Sequence, residues 1–437
     1  MKHRFILLLT HFSFVWFLFL SSNCNATTSA TDCSTLGQYY AIVFDAGSSG
    51  TRIYVLEFKS PTKANSASQL KFVNQTFIEG LYSLSSCRDD LKKISALLEP
   101  LLKKAQILIP KKLWHETPAA VMATAGLRLL EKNESDAIIN EAQNILYYSP
   151  FRVFDNSISI ISGEQEAYYG WFTVNHLMDR LSPLVQTNAI LGRAYVTSTV
   201  ATIFMGGGSM QVAFLPQSTS VGRKAPKGSL QWFKVFNRMR QLYTVSYLGN
   251  GLVQSRLDSL KLKNGFDTKD FTSTCFPADT KFEWKHEKVL YNVEGQKNAS
   301  FDACLAEQSD FVRKSKIYKP AGELRRANIF LSGHLATFLS EIFDLGSHGG
   351  NLTIKEMKDK ANETCSITTS FGIKEKALWK CRDLSYIVAV LRALNLRENK
   401  QYLISDKIKS MKVRWALGAA YQLLEKRFEE EEIDHCY

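Results

Sequence analysis

Two stretches of this chain share one local design. Residues 39–58 read YYAIVFDAGSSGTRIYVLEF, and residues 196–214 read VTSTVATIFMGGGSMQVAF. In each, β-branched and other apolar residues flank a Gly/Ser turn on both sides, the pattern of a strand, a tight turn and a second strand. The two units lie about 160 residues apart, and a repeat on that scale suggests two related lobes rather than a solenoid. Backbone N–H groups at such turns form anion-binding nests. A single Gly-Ser turn would merely connect strands. Two in equivalent positions predict a cleft in which a phosphate chain is clamped between lobes.

A chain of 437 residues is too long for one ordinary core, which also favours two domains. With 45% hydrophobic and 22% charged residues, disorder, collagen and coiled coil are excluded. The start has Lys2 and Arg4, a sixteen-residue apolar run from Phe5 to Leu20, and small residues up to Ala26. Residues 1–26 therefore read as a secretory signal peptide. The rival is an uncleaved signal anchor, but the run is shorter than the ~20 residues of a spanning helix. No second long apolar run follows, so the mature chain is expected to be soluble and secreted, with the ER/Golgi lumen as the alternative. Eight cysteines and six Asn-x-Ser/Thr sequons, at Asn25, Asn74, Asn133, Asn298, Asn351 and Asn362, agree with an oxidising route. The formal charge of +12 falls to +10 once Lys2 and Arg4 leave. Such charge suits polyanions. No compact Lys/Arg stripe or nucleic-acid motif accompanies it, so nucleic acid is not an expected partner. Oligomeric state is left open.

Between the two units, helical periodicity runs over 90–107 and 132–147, a buried strand over Ala119–Thr124, and a helix over Glu164–Met178. Residues 216–232 and 259–300 are polar, Lys-rich and expected to be loops. Val413–Phe428 reads as a closing helix, and Glu429–Asp434 as its solvated acidic end.

The turn segments carry chemistry. In Asp45-Ala-Gly-Ser-Ser-Gly-Thr-Arg52, a carboxylate ends a buried strand beside three hydroxyls, Ser48, Ser49 and Thr51, while Gly47 and Gly50 allow close phosphate approach. Further segments are Ala123-Thr-Ala-Gly-Leu-Arg128, Ile161-Ser-Gly-Glu-Gln-Glu-Ala-Tyr-Tyr-Gly-Trp171, Phe204-Met-Gly-Gly-Gly-Ser-Met-Gln211 and Ser246-Tyr-Leu-Gly-Asn-Gly251. In this order, from about Tyr40 to Glu425, the chain resembles the nucleoside triphosphate diphosphohydrolases, or apyrases, of the actin/hexokinase-like superfamily. Weaker matches are Leu378–Tyr386 and Trp415–Gly418.

The resemblance implies an α/β fold: two ribonuclease-H-like lobes with mixed sheets flanked by helices around a cleft. The N-terminal lobe would hold residues 38–165 plus a closing helix over 411–428, and the C-terminal lobe residues 166–410. It implies hydrolysis of terminal phosphates of nucleoside tri- and diphosphates with a divalent cation, Ca2+ or Mg2+. Glu166 is then the base that activates water, and Ser209 and Gln211 position that water. Gly47, Ser48, Ser49, Gly50, Thr51, Gly206, Gly207 and Gly208 hold phosphate. Asp45 and Thr124 meet the cation through water. The signal peptide, the disulfide pattern and the Glu166 segment set the chain apart from exopolyphosphatase-like and sugar-kinase-like members. The family also implies disulfides Cys275–Cys304 and Cys365–Cys381, leaving Cys33, Cys87 and Cys436 unassigned. One departure stands out. Where the family places an acidic residue this chain has Phe204, and no Asp or Glu lies between Ala194 and Gln211. A catalytically weakened nucleotide-binding pseudoenzyme is therefore the alternative.

Overall fold

A computed structural model describes residues 37–181, 199–217, 221, 225–286, 289–317, 320, 322–366 and 375–434. The expected leader, Cys24, Cys33 and Cys436 lie outside the described residues.

The fold is mixed α/β, built on two sheets that repeat one plan. The first contains β1 (Gln38–Gly47), β2 (Gly50–Lys59), β3 (Lys71–Glu79), β4 (Ala119–Ala123) and β5 (Ile158–Ile160), in the order β3-β2-β1-β4-β5. The second contains β6 (Ala201–Met205), β7 (Ser209–Phe214), β8 (Leu230–Val235) and β9 (Arg238–Leu248). A separate three-stranded sheet follows, of β10 (Asp270–Ser273), β11 (Lys281–His286) and β12 (Val289–Gly295). The second sheet is completed by β13 (Ile329–Gly333), β14 (Gly350–Leu352) and β15 (Tyr402–Ile404), giving β14-β15-β13-β6-β7-β9-β8. Its inner five, β9-β7-β6-β13-β15, copy the first sheet strand for strand. In each sheet three strands meander antiparallel and two more join in parallel.

Segment 259–300 is not the loop that its polarity suggests. It forms the end of helix Gln254–Asn264, strands β10–β12 and the entry to helix Phe301–Lys314. A small apolar set, including Phe271, Phe276, Trp284 and Trp379, holds it, with disulfides Cys275–Cys304 and Cys365–Cys381 at its edge. Likewise β8 lies partly within 216–232. The closing helix runs Ala416–Asp434 and includes the acidic end, whose Glu429 and Glu430 pair with Lys234 and Arg152.

Side chains alternate faces along a strand, and this sets up three layers. Tyr39, Ala41 and Val43 of β1 face a central cluster, while Tyr40, Ile42, Phe44 and Ala46 face the outer helices of the first lobe. Two helices fill the centre, Gly163–Leu177 and Ala416–Asp434, with Trp171, Phe172 and Tyr421 buried among residues of both sheets. By the same alternation Asp45 points inward from β1, and Phe204, which packs against the central cluster, points inward from β6.

The two central helices touch backbone to backbone at Gly418. A Cβ there would stand 2.5 Å from the Tyr169 carbonyl oxygen. In an exposed helix Gly→Ala stabilises by about 1 kcal/mol. Here the sign reverses: Gly418→Ala should destabilise by about 1–3 kcal/mol through overpacking, read as a lowered Tm in thermal unfolding.

Candidate active site

The two glycine turns meet at the top of the cleft. On the first, Ser48 sits against the second so closely that a Cβ on Gly207 would lie 2.8 Å from Ser48 Oγ, and one on Gly208 3.2 Å from Ser48 Cβ. Each turn is braced from behind. Gly126 supports the first, where a Cβ would be 2.9 Å from Ser48 Cα, and Thr124 donates its N–H to the Ala46 carbonyl at 3.1 Å.

The second turn is strapped by the segment after β9. Leu252 N–H donates to Gly206 O at 2.9 Å, Val253 and Gln254 N–H to Gly207 O at 3.1 and 2.9 Å, and Gly249 N–H to Gly208 O at 2.9 Å. In a trans peptide C=O and N–H point opposite ways. Tying three carbonyls to the strap therefore turns the N–H groups of Gly207, Gly208 and Ser209 the other way, as an anion site requires. Gly251 must lack a side chain, since a Cβ would be 2.4 Å from the Gly207 carbonyl carbon. This explains the motif Ser246–Gly251. The motif Leu378–Tyr386 acts one step further back: Tyr386 donates its hydroxyl to Asn250 O at 2.9 Å, and buried Asp383 accepts from Arg256 and Arg382.

The cleft below the turns encloses about 680 Å³ including its open mouth. Asp45, Gly47, Ser48, Ser49, Thr124, Glu166, Gly206, Gly207, Gly208, Ser209 and Gln211 line it, so most of the sequence-predicted residues are brought together. Gly50 and Thr51 are not on its wall. Thr51 is buried behind the first turn, its N–H donating to Tyr82 O at 3.1 Å.

Glu166 lies in the first turn of helix Gly163–Leu177. The Ser162/Gln165 capping box fixes that turn. Burial pushes the Glu166 carboxyl up to about 7, opposed by the Arg128 guanidinium that donates to its Oε2, while the Asp45 charge pushes it up further. Gln211 Nε2 lies 2.7 Å from Ser209 Oγ, 3.1 Å from Ser246 Oγ and 3.2 Å from Glu166 Oε2. Its two N–H groups are thus shared among three oxygens. Asp45 is buried, which raises its carboxyl; Arg52, Arg414 and a Trp415 hydrogen bond pull it back.

Five contributors escaped sequence reasoning. Arg128, the last residue of the second motif, is the direct partner of Glu166. Ser246 joins the Gln211 cluster from the strap strand. His334 begins the helix after β13, where Thr124 follows β4 in the other lobe, and approaches Ser49 Oγ at 3.5 Å. Its imidazole is driven down to about 4 by burial, then by Arg414, Arg52 and Arg256, so it is neutral at physiological pH. Arg414 and Trp415 enter from the start of the closing helix. The internal duplication was the available signal for His334. The Trp415–Gly418 match was the signal for Trp415.

Position 204 completes the wall. Phe204 pairs with Gln211 across the second hairpin as Asp45 pairs with Arg52 across the first, so Phe204 occupies the place equivalent to Asp45. Its ring lies on Gly170, one helical turn beyond Glu166; a Cβ on Gly170 would be 2.9 Å away. Among the described residues no group of three or more His, Cys, Asp or Glu is placed to hold a metal ion. Asp45 and Thr124, which line the cleft at the first turn, are the oxygen groups that could meet the water shell of a divalent cation.

An anion cradle between duplicated lobes, with a buried carboxylate and amide beside it, defines a phosphoryl-group hydrolase, and sequence comparison specifies which. The chain belongs to the GDA1/CD39 (nucleoside phosphatase) family, whose model matches residues 33–435. It is thus a nucleotide phosphohydrolase of a family that generally depends on divalent cations. It is 34% identical over 419 residues to mouse "Ectonucleoside triphosphate diphosphohydrolase 5", covering 94% of this chain and 92% of that one. Identity to human "Nucleoside diphosphate phosphatase ENTPD5" is also 34%, with the same coverage. Human "Ectonucleoside triphosphate diphosphohydrolase 6" is 30% identical over 393 residues, 89% of this chain and 77% of that one. A nucleoside triphosphate hydrolase from Neospora caninum shares the fold, with a TM-score of 0.60 at 13% identity, covering 90% and 93% of the two chains. Among the described residues no helix is long and apolar enough to cross a membrane.

The position of Glu166 gives a pH prediction. With Glu166 as the base that the family resemblance implies, it must be deprotonated to act, so kcat/KM should fall as pH drops below about 7. Arg128 holds that carboxyl down, so Arg128→Met should move the acidic limb to higher pH. A pH–rate profile of both proteins checks this.

Proposed function

We propose that this protein is a secreted apyrase-type enzyme that hydrolyses the terminal phosphate of nucleoside di- and triphosphates by direct water attack. The carrying observation is the Glu166–Gln211–Ser209 cluster, set beside two glycine turns that touch. The lobes are residues 38–165 with the closing helix, and 166–410. Ser48, Ser49 and the N–H groups of Gly207, Gly208 and Ser209 grip the phosphates, with Gly47 and Gly206 allowing their close approach. The attacking water takes one of the shared Gln211 N–H groups and sits between Ser209 and Glu166. Glu166 accepts its proton as the water oxygen bonds to phosphorus and the bridging P–O bond breaks in line. Orthophosphate and the shortened nucleotide leave, with no covalent enzyme intermediate. A divalent cation, Ca2+ or Mg2+, bound to the phosphates would neutralise their charge, with Asp45 and Thr124 meeting its water shell.

Phe204 favours a second reading, a nucleotide-binding protein with weakened turnover, because an apolar ring replaces an oxygen ligand. Phosphate release from ATP and ADP with Mg2+ or Ca2+ separates the two readings. Under the main one, wild type turns over and Glu166→Gln loses about 10²–10⁴-fold in kcat. No release from any nucleotide, or an undiminished Glu166→Gln, would refute it. Phe204→Asp should raise the cation-stimulated rate by roughly tenfold, the scale of one charge-assisted contact.

A further inference from the structure

The charge lining this cleft is balanced in an unusual way. Its wall holds two carboxylates, Asp45 and Glu166, and two guanidinium groups, Arg52 and Arg414. A site that gathers a free divalent cation needs surplus negative oxygen ligands; this one has lost a carboxylate at Phe204. The two arginines differ in attachment. Arg52 is engaged by its own turn, with Nη1 donating to Gly50 O at 3.1 Å, Nη2 to Ser49 Oγ at 3.3 Å, and Nε 3.7 Å from Glu79 Oε1. Arg414 spends one N–H on the Val413 carbonyl at 2.9 Å, and a guanidinium has five. It lines the cleft together with both glycine turns, Asp45 of the first lobe and His334 of the second, and its charge acts on both of those groups.

We propose that Arg414 is a phosphate-binding residue whose fixed guanidinium supplies part of the charge neutralisation a divalent cation would bring, so that nucleotide binds this cleft with little need for the cation. The proposal rests on the phosphate cradle described under the proposed function. Guanidinium matches phosphate oxygens in a planar, two-pronged geometry that an ammonium lacks. Loss of the carboxylate at position 204 and a guanidinium at 414 act in the same direction: both make the empty cleft more positive and more receptive to a bare polyphosphate.

The test is calorimetric titration of a methylene-bridged, non-hydrolysable nucleoside diphosphate into the full mature chain, in EDTA and again in Mg2+. Wild type should bind in EDTA with an affinity within about fivefold of that in Mg2+, less than a tenfold step of 1.4 kcal/mol. Arg414→Met should weaken binding in EDTA by roughly 10- to 100-fold, the scale of a hydrogen bond to a charged group, and weaken it less in Mg2+, so that a cation requirement emerges. Arg414→Lys keeps the charge without the fork and should fall between. Equal losses for Arg414→Met in EDTA and in Mg2+ would overturn the charge role and leave a bracing one. Wild-type binding only in Mg2+ would overturn the proposal while leaving the cradle intact. No binding in either condition, with an unchanged circular dichroism spectrum, would overturn both this proposal and the reading of the cleft. Should Arg414→Met fail to fold, Arg414→Lys carries the same comparison, with cation dependence identical to wild type counting against the proposal.

Discussion

The site depends on how closely two backbones approach. Ser48 of one lobe meets Gly207 and Gly208 of the other with no room for a methyl group. Polyphosphate can be gripped from both sides only if the turns come this near, and only glycine permits it without pushing the lobes apart. The rest of the architecture serves that contact. Gly126 and Gly251 let a bracing segment lie flat against each turn. The two central helices, joined at Gly418, hold the sheets at the matching distance.

Burial then sets the chemistry. Glu166 and Asp45 are both taken out of water, which favours their neutral forms, and guanidinium groups restore the charge selectively. Arg128 contacts Glu166 directly, yet burial still wins, leaving a carboxyl that changes charge near neutrality. A carboxyl that changes charge near neutrality can both take up a proton and release it at physiological pH. His334 shows the converse: its cationic neighbours and burial act together, and the ring stays neutral.

Much of this was legible in the chain itself. The duplicated hairpins gave the lobes, because alternation and glycine turns are local signals. Asp45, Glu166, Ser209 and Gln211, which the fold brings to one cleft, stood out in the chain because they sit inside dense motifs. The misses share a physical cause. Segment 259–300 is polar because its thin sheet exposes one face, and its stability comes from a few aromatics and two disulfides, so hydropathy read it as loop. Thr51 lies in the predicted turn, but the pleat turns it behind the wall. His334 and Arg414 reach the cleft from elements 285 and 362 residues beyond Ser49 and Arg52, where only the assembled fold brings them close. The strap that orients the second turn was visible as a motif, but its purpose lies in backbone hydrogen bonds that side-chain identity does not encode.

That strap has a mechanical consequence. Four main-chain bonds fasten the second turn to the start of helix Gln254–Asn264, while Thr124 and Gly126 fasten the first to its own lobe. Neither turn can flex alone. In the proposed mechanism, nucleotide would then enter and leave by movement of one lobe against the other, about helices Gly163–Leu177 and Ala416–Asp434 that pack between the two sheets. Glu166 sits on the first of these helices, so such a movement would also shift the proposed base relative to the glycine turns.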